Sequence, residues 1–133
     1  MSTWTIREYL KSDWPLVSSW WDLHAHGSVL LEPLLPPVGI IVEHEGEPLC
    51  ACWLYLAVNI GVSWLEYPVS KPGLKLHEAR EAFHLAVQAL EKIAKALDYH
   101  IMMAHTLPGI ARVMRSFGFR AETRRKVSVF KTI

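Results

Sequence analysis

The chain has 133 residues, 51% of them hydrophobic, with six tryptophans and a formal charge of +1 from fourteen Lys and Arg against thirteen Asp and Glu. That composition excludes a disordered tail and predicts one domain, 1–133, long enough to bury a real core. It supplies no basic field that would favour nucleic acid, and the longest apolar stretch, near Leu49 to Ile60, is too short to cross a bilayer and contains Asn59.

Met1 to Leu10 is polar and lacks an apolar h-region, so a soluble, intracellular protein is expected. The two cysteines, Cys50 and Cys52, sit two apart on one predicted strand. Side chains at i and i+2 point the same way but are poorly placed for a disulfide, so free core thiols are predicted.

In chain order, "TWTIREYL" (Thr3 to Leu10) alternates and predicts a first strand, with Trp4, Ile6 and Tyr9 near the core. "SDWPLVSSWWDLHAHG" predicts a helix capped by Asp13, with Pro15 in its first turn and Gly27 as its stop. Leu16, Val17, Trp20, Trp21 and Leu23 give it a broad apolar side. Three prolines make "SVLLEPLLPP" an extended connector. "VGIIVEHEGEPLCACWLYLAV" predicts a hairpin of Val38 to Val42 and Leu49 to Val58 turning at Gly46, and "VSWLEYPVS" adds a third antiparallel strand after the turn "NIG". A long helix begins near Leu76, because Ala79, Phe83, Val87, Leu90, Ala94 and Leu97 recur at three and four. "HIMMAHT" predicts a short buried strand. "LPGIARVMRSFGF" predicts a second short helix with Ile110, Val113, Met114 and Phe117 inward. An alternating strand with Val127, Val129 and Phe130 closes the chain. The order β-α-β-β-β-α-β-α-β implies a mixed sheet with helices on its faces.

That order resembles the GNAT acyltransferase family, over nearly the whole chain in arrangement and in short stretches of residues. "GEPLCACWLYL" looks like the strand after the family's hairpin, "WLEYPVS" like the central strand that ends at the cofactor's pyrophosphate, and "ARVMRSFGF" like the late helix and its terminal Gly-Phe. The combination "LPP-x-G…WLY…EYPVS-x-P…GF" also resembles small GNAT-like proteins encoded by bacteriophages. The resemblance implies a sheet that splays after a bulge in the strand Val62 to Val69, with acetyl-coenzyme A entering the gap. Val69 would then meet the pantetheine arm, and the amides of Gly73, Leu74, Lys75, Leu76 and His77 would hold the pyrophosphate, with Lys71 and Lys75 adding charge. Glu66, in an apolar strand, would be the general base, because burial raises a carboxyl towards a useful pKa.

Two departures stand out. "SKPGLKLHEA" lacks the family's glycine spacing, carries bulk at Leu74 and Leu76, and has no N–H at Pro72. The family's tyrosine, four residues before the late Gly-Phe, is Met114 here, and a thioether donates no proton. Tyr67 and Tyr99 are the substitutes, Tyr67 being placed with Glu66 as catalytic, and nothing in the spacing demands either.

Other candidates have simpler readings. His77, Glu81 and His84 share a helical stripe, which a solvated face explains without a metal. His24 and His26 at a helix end suit the dipole. Arg115, Arg120, Arg124, Arg125 and Lys126 read as a solvated basic edge. Trp20, Trp21, Trp53 and Trp64 read as core, while an exposed Trp4 or Trp14 would suggest a homodimer. Two functions are therefore expected as alternatives. One is an acetyl-CoA-dependent N-acyltransferase acting on an amine, with no metal, in the cytoplasm. The other is a catalytically silent GNAT-fold binding or virion-associated protein of a bacteriophage that lost the cofactor lining.

Overall fold

The structure, a computed structural model, describes residues 2–24, 28–122, 129 and 131–133. The final strand predicted over Val127 to Phe130, His26, the Gly27 stop and the basic residues Arg124 to Lys126 lie outside them, Val129 apart. Five strands and three helices follow in the order β1 (Trp4–Glu8), α1 (Trp14–Leu23), β2 (Val38–His44), β3 (Glu47–Leu56), β4 (Val62–Ser70), α2 (Leu76–Ala96), β5 (Ile101–Ala104) and α3 (Pro108–Arg115). The strands form one sheet in sequence order, antiparallel from β1 through β4 and parallel between β4 and β5. This is the mixed α/β arrangement that the sequence predicts.

The β2–β3 hairpin closes in two residues, Glu45 and Gly46, with φ of +53° and +77°. Positive φ at both central positions matches the right-handed twist of the flanking strands. β1 is fastened to this turn, since Glu45 N–H donates to the Thr3 carbonyl at 2.9 Å and Thr3 N–H donates to Glu45 Oε1 at 3.0 Å.

Each face of the sheet has its own core. On the α2 side Val42, Cys50, Cys52, Leu54 and Leu65 pack with Ala82, Ala86, Val87, Leu90 and Met114. On the α1 side Ile41, Ala51, Trp53 and Val69 pack with Val17, Trp20 and Leu30. β3 is buried on both faces from Leu49 to Leu54, as a central strand must be. Both cysteines are free and fully enclosed, and burial pushes the Cys50 thiol up to about 12. They are core residues, as expected.

Several expectations are corrected. Ile6 is 43% exposed, and Leu16 and Leu23 face outward, so α1 buries a narrower stripe of Val17 and Trp20. Asp13 occupies the cap position of α1 without capping it: its carboxylate takes the Leu10 N–H and a forked pair of bonds from Arg7, each 2.8 Å. Leu97 lies past the end of α2 and is half exposed. β5 is not a buried strand, because Ile101 and Met103 are exposed. None of Trp4, Trp14, Trp21 and Trp64 is fully exposed or fully buried, and Trp4 stacks on His44 at 4.1 Å.

Gly39 is needed for contact, not for its backbone angles. A Cβ there would stand 2.4 Å from both Cδ1 and Nε1 of Trp53, whose indole is fully buried with Tyr9 edge-on at 5.1 Å. Gly109, in the first turn of α3, has nothing within 4 Å of such a Cβ. Gly39→Ala is therefore expected to destabilise the chain by about 1–3 kcal/mol through overpacking. Gly109→Ala is expected to be neutral or to stabilise by up to about 1 kcal/mol. Denaturant unfolding of the two variants checks the contrast, and equal midpoints would contradict it.

Candidate functional site

β4 carries one residue too many. Ala51 of β3 pairs with Val69 and Trp53 pairs with Glu66, so a single residue of β3, Cys52, stands opposite two of β4, Tyr67 and Pro68. The extra residue reverses the facing of everything beyond it. Leu65 and Val69, four apart, would share a face of a regular strand, yet Leu65 packs on the α2 side and Val69 on the α1 side. Tyr67 has φ of +52°, unusual for a residue with a bulky side chain. Pro68 offers no N–H to either neighbour.

The bulge coincides with a parting of strands. β4 and β5 pair through Val62–Ile101, Ser63–Met102, Trp64–Met103 and Leu65–Ala104, and no further. Among the described residues, no strand faces the β5-side edge of Glu66–Ser70. A pocket of about 130 Å³ opens there, lined by Cys50, Pro68, Val69, Ser70, Phe83 and Ile110. It is smaller than the roughly 300–1,000 Å³ usual for a ligand site. A roomier groove of about 600 Å³ runs between β1, β2 and α2, but its Arg7 already forks onto Asp13 and lies near Glu43, and it contains no parted backbone. Chemistry therefore points to the smaller pocket.

The end of β4 is held firmly. Lys71 N–H donates to the Leu49 carbonyl at 2.8 Å, the Lys71 ammonium pairs with Glu47, and His24 Nε2 lies 2.6 Å from the Ser70 carbonyl oxygen. The chain then turns at Gly73, with φ of +83°, and enters α2 with Lys75 as its N-cap. No side chain caps this helix. The Lys75 carbonyl accepts from Glu78 and Ala79, which leaves the amides of Leu76 and His77 without partners inside the helix. Leu74 turns into the α2-side core, while Leu76 is 84% exposed. Leu76 does not crowd Gly73, where a Cβ would meet nothing within 4 Å outside the two adjoining residues. Glu78 in the first turn reaches back to His44 Nδ1 at 3.5 Å.

Glu66 and Tyr67 lie together at the bulge, on the α1 side. Glu66 is half-buried and directly opposite Trp53, and Tyr67 meets Trp21 edge-on at 6.1 Å. Burial pushes the Glu66 carboxyl above the ordinary carboxylate range, and the charge of His105 offsets part of that. Burial also raises the Tyr67 phenol, with the charge of Glu66 adding to it. Tyr99 is elsewhere and occupied, donating to the Ala57 carbonyl at 2.7 Å. Met114 is enclosed in the core. The structure thus brings Glu66, Tyr67 and Val69 to the bulge and Gly73 to His77 to the helix entry. It engages Lys71 with Glu47 and adds His105, which sequence reasoning missed.

The other expected features fall outside this place. His77 and His84 border a separate pocket of about 320 Å³ with Arg80, Glu81, Ser116 and Phe117, where His84 stacks on Phe117 at 4.3 Å. Among the described residues, no group of three or more His, Cys, Asp and Glu side chains is placed to hold a metal ion, and no helix is long and apolar enough to cross a membrane.

Compared by sequence, the chain matches no protein-family model and no curated protein. Compared by structure, it superposes along nearly its whole length on known folds. Glucosamine-6-phosphate N-acetyltransferase from Arabidopsis thaliana matches with a TM-score of 0.67 at 14% identity, over 97% of this chain and 99% of that one. The aminoglycoside N-acetyltransferase AAC(6')-Iy in complex with CoA matches at 0.66 and 18%, over 100% and 97%. A transcriptional regulator from Bacillus halodurans matches at 0.72 and 16%, over 96% and 100%. At these identities the likeness establishes the fold, which is that of the GNAT acetyltransferases. The narrower likeness to bacteriophage proteins gains no support from these neighbours.

The Glu66 carboxyl also carries a stability cost. Its folded-state pKa is raised, so the folded protein holds that proton more tightly than the unfolded chain does. Its contribution to stability is therefore favourable in acid and is lost as pH rises through the folded value. Glu66→Gln removes the charge, so this variant is expected to melt above the parent at pH 7. The two melting temperatures should converge below about pH 4, where a free carboxyl is also protonated. Paired thermal melts at the two pH values measure this, and a variant that melts lower at pH 7 would contradict the buried-charge assignment.

Proposed function

We propose that the chain is an acyl-CoA-dependent N-acyltransferase that moves an acetyl group from acetyl-CoA to a primary amine. The observation carrying this reading is the parting of β4 from β5 at a one-residue bulge, with a half-buried carboxylate on its lip and an uncapped helix N-terminus at its far end. In the proposed complex the pantetheine arm lies along the exposed edge of Pro68, Val69 and Ser70. The pyrophosphate meets the amides of Gly73 to His77, where unsatisfied N–H groups and the helix dipole favour an anion. Lys75 adds charge, while Lys71 shapes the loop through Glu47. Glu66 takes the proton of the attacking amine, and backbone amides freed by the bulge stabilise the developing oxyanion.

Two neighbours act on amino sugars or aminoglycosides by their descriptions, and one was solved with CoA; these support acyl transfer to an amine as a class. The silent binding protein, the other expectation, gains no support from them.

Leu76 offers a clean test of the amide cradle. It is the first residue of α2, where proline is tolerated because its N–H has no partner in the helix. Lys75 before it is already extended, with φ of −64° and ψ of 147°, the conformation that precedes proline. Leu76→Pro is therefore expected to leave the melting temperature of the free protein nearly unchanged while weakening acetyl-CoA binding by roughly 10- to 100-fold, the loss of one hydrogen bond to a charged group. Isothermal titration of parent and variant reads the effect. Absence of heat and of any ligand-induced thermal shift in the parent at millimolar acetyl-CoA would overturn the reading, because a ligand of the native state must raise its stability.

A further inference from the structure

Building on acyl transfer at this site, we propose that His105 is the catalytic acid that protonates the departing thiolate. The register places it. Leu65 and Ala104 are the last paired residues of β4 and β5, so Glu66 and His105 are the next residues on either side of the parting. Directly opposed residues share a face of the sheet. Leu65 and Ala104 both pack on the α2 side, and Trp64 and Met103, one step back, are likewise opposed on the other face. One step forward, Glu66 faces the α1 side opposite Trp53, and His105 follows Ala104 at the same level on the other side of the parting, across the mouth through which a thioester would enter. The charge of His105 acts on the Glu66 carboxyl, in keeping with this placement.

The chemistry needs such a group. The amine nitrogen bonds to the thioester carbonyl carbon, and its proton goes to Glu66. The carbon–sulfur bond then breaks, and the sulfur leaves with the electron pair and requires one proton. Met114, at the family's tyrosine position, is buried and has none to give. Tyr99 spends its hydroxyl on the Ala57 carbonyl. A phenol, at about 10, is a weaker acid than a thiol at about 8.5, whereas an imidazolium, at about 6.5, is a stronger one. The Tyr67 phenol, which burial raises further, is thus the poorer donor to sulfur. His105 is also exposed, which leaves it in contact with solvent between turnovers. Nothing in the spacing of the sequence reveals this residue, because the argument depends on where the β4–β5 ladder stops.

The test uses the full chain, acetyl-CoA, and a panel of primary amines comprising an aliphatic diamine, an amino sugar and a peptide N-terminus, with free thiol as readout. His105→Ala and His105→Gln are expected to lower kcat by about 10²-fold, a typical general-acid contribution, with KM for acetyl-CoA changed less than about 2-fold. An S-acetyl aryl thiol, whose thiolate leaves without a proton, is expected to bring both variants within about 5-fold of the parent while leaving Glu66→Gln impaired. His105 variants as active as the parent, or equally impaired with both donors, would overturn the assignment while leaving acyl transfer intact. Rescue by the aryl donor of Tyr67→Phe instead would move the role to Tyr67 and overturn it too. No turnover by the parent with any amine or donor would overturn the underlying reading, and the proposal with it.

Discussion

One inserted residue in a central strand governs this molecule. Had β4 run regularly, Leu65 and Val69 would lie on one face, and a sheet buried on both sides at β3 tolerates no such exchange without losing a core. The insertion at Tyr67 and Pro68 settles the conflict by sending the strand's two halves to opposite cores. It lies just beyond Leu65, where the ladder with β5 ends. A positive φ at a tyrosine costs on the order of 1–3 kcal/mol and persists only where the surroundings over-determine it. Here they do: Trp53 fixes Glu66 across the ladder, Trp21 abuts the Tyr67 ring, and His24, Leu49 and Glu47 hold Ser70 and Lys71. The strain sits where backbone groups are bared, which is the usual place for it.

Much of this was legible from residue order. The period of Val87, Leu90 and Ala94 places α2, and the glycine of "HEGE" places the hairpin, because each follows from one local rule. The proline in "EYPVS" marks an irregularity within a strand, since Pro cannot serve a central ladder. Its consequence, a reversal of facing, required the pairing register. β5 was misread because a short apolar run looks central, while the strand ends after four paired residues and leaves Ile101 and Met103 exposed. Asp13 shows the same limit from the polar side. Its position at the head of α1 is readable, but its partner is Arg7, on a strand that precedes the turn. Leu74 and Leu76 are one residue type two places apart with opposite fates, core and solvent, and only the turn at Gly73 distinguishes them.

That pair also decides how the unusual loop should be weighed. An anion at a helix N-terminus is bound by main-chain N–H groups and the dipole, and those belong to every residue except proline. Glycine helps only by keeping side chains out of the way. Where Leu74 folds into the core and the turn residue itself is glycine, clearance comes from the direction of the side chains, so the loop departs from the family's spacing while retaining donors. The opposing influence is Glu78, whose charge within the first turn would repel a phosphate, and His44 Nδ1 lies 3.5 Å from that carboxylate. Backbone recognition tolerates drift in sequence because the ligand reads the shape of the chain. The fold accordingly stays recognisable at 14–18% identity to the structures it superposes on. Side chains would still decide any proton transfer, and at the lip of this parting the groups proposed for it are Glu66 and His105.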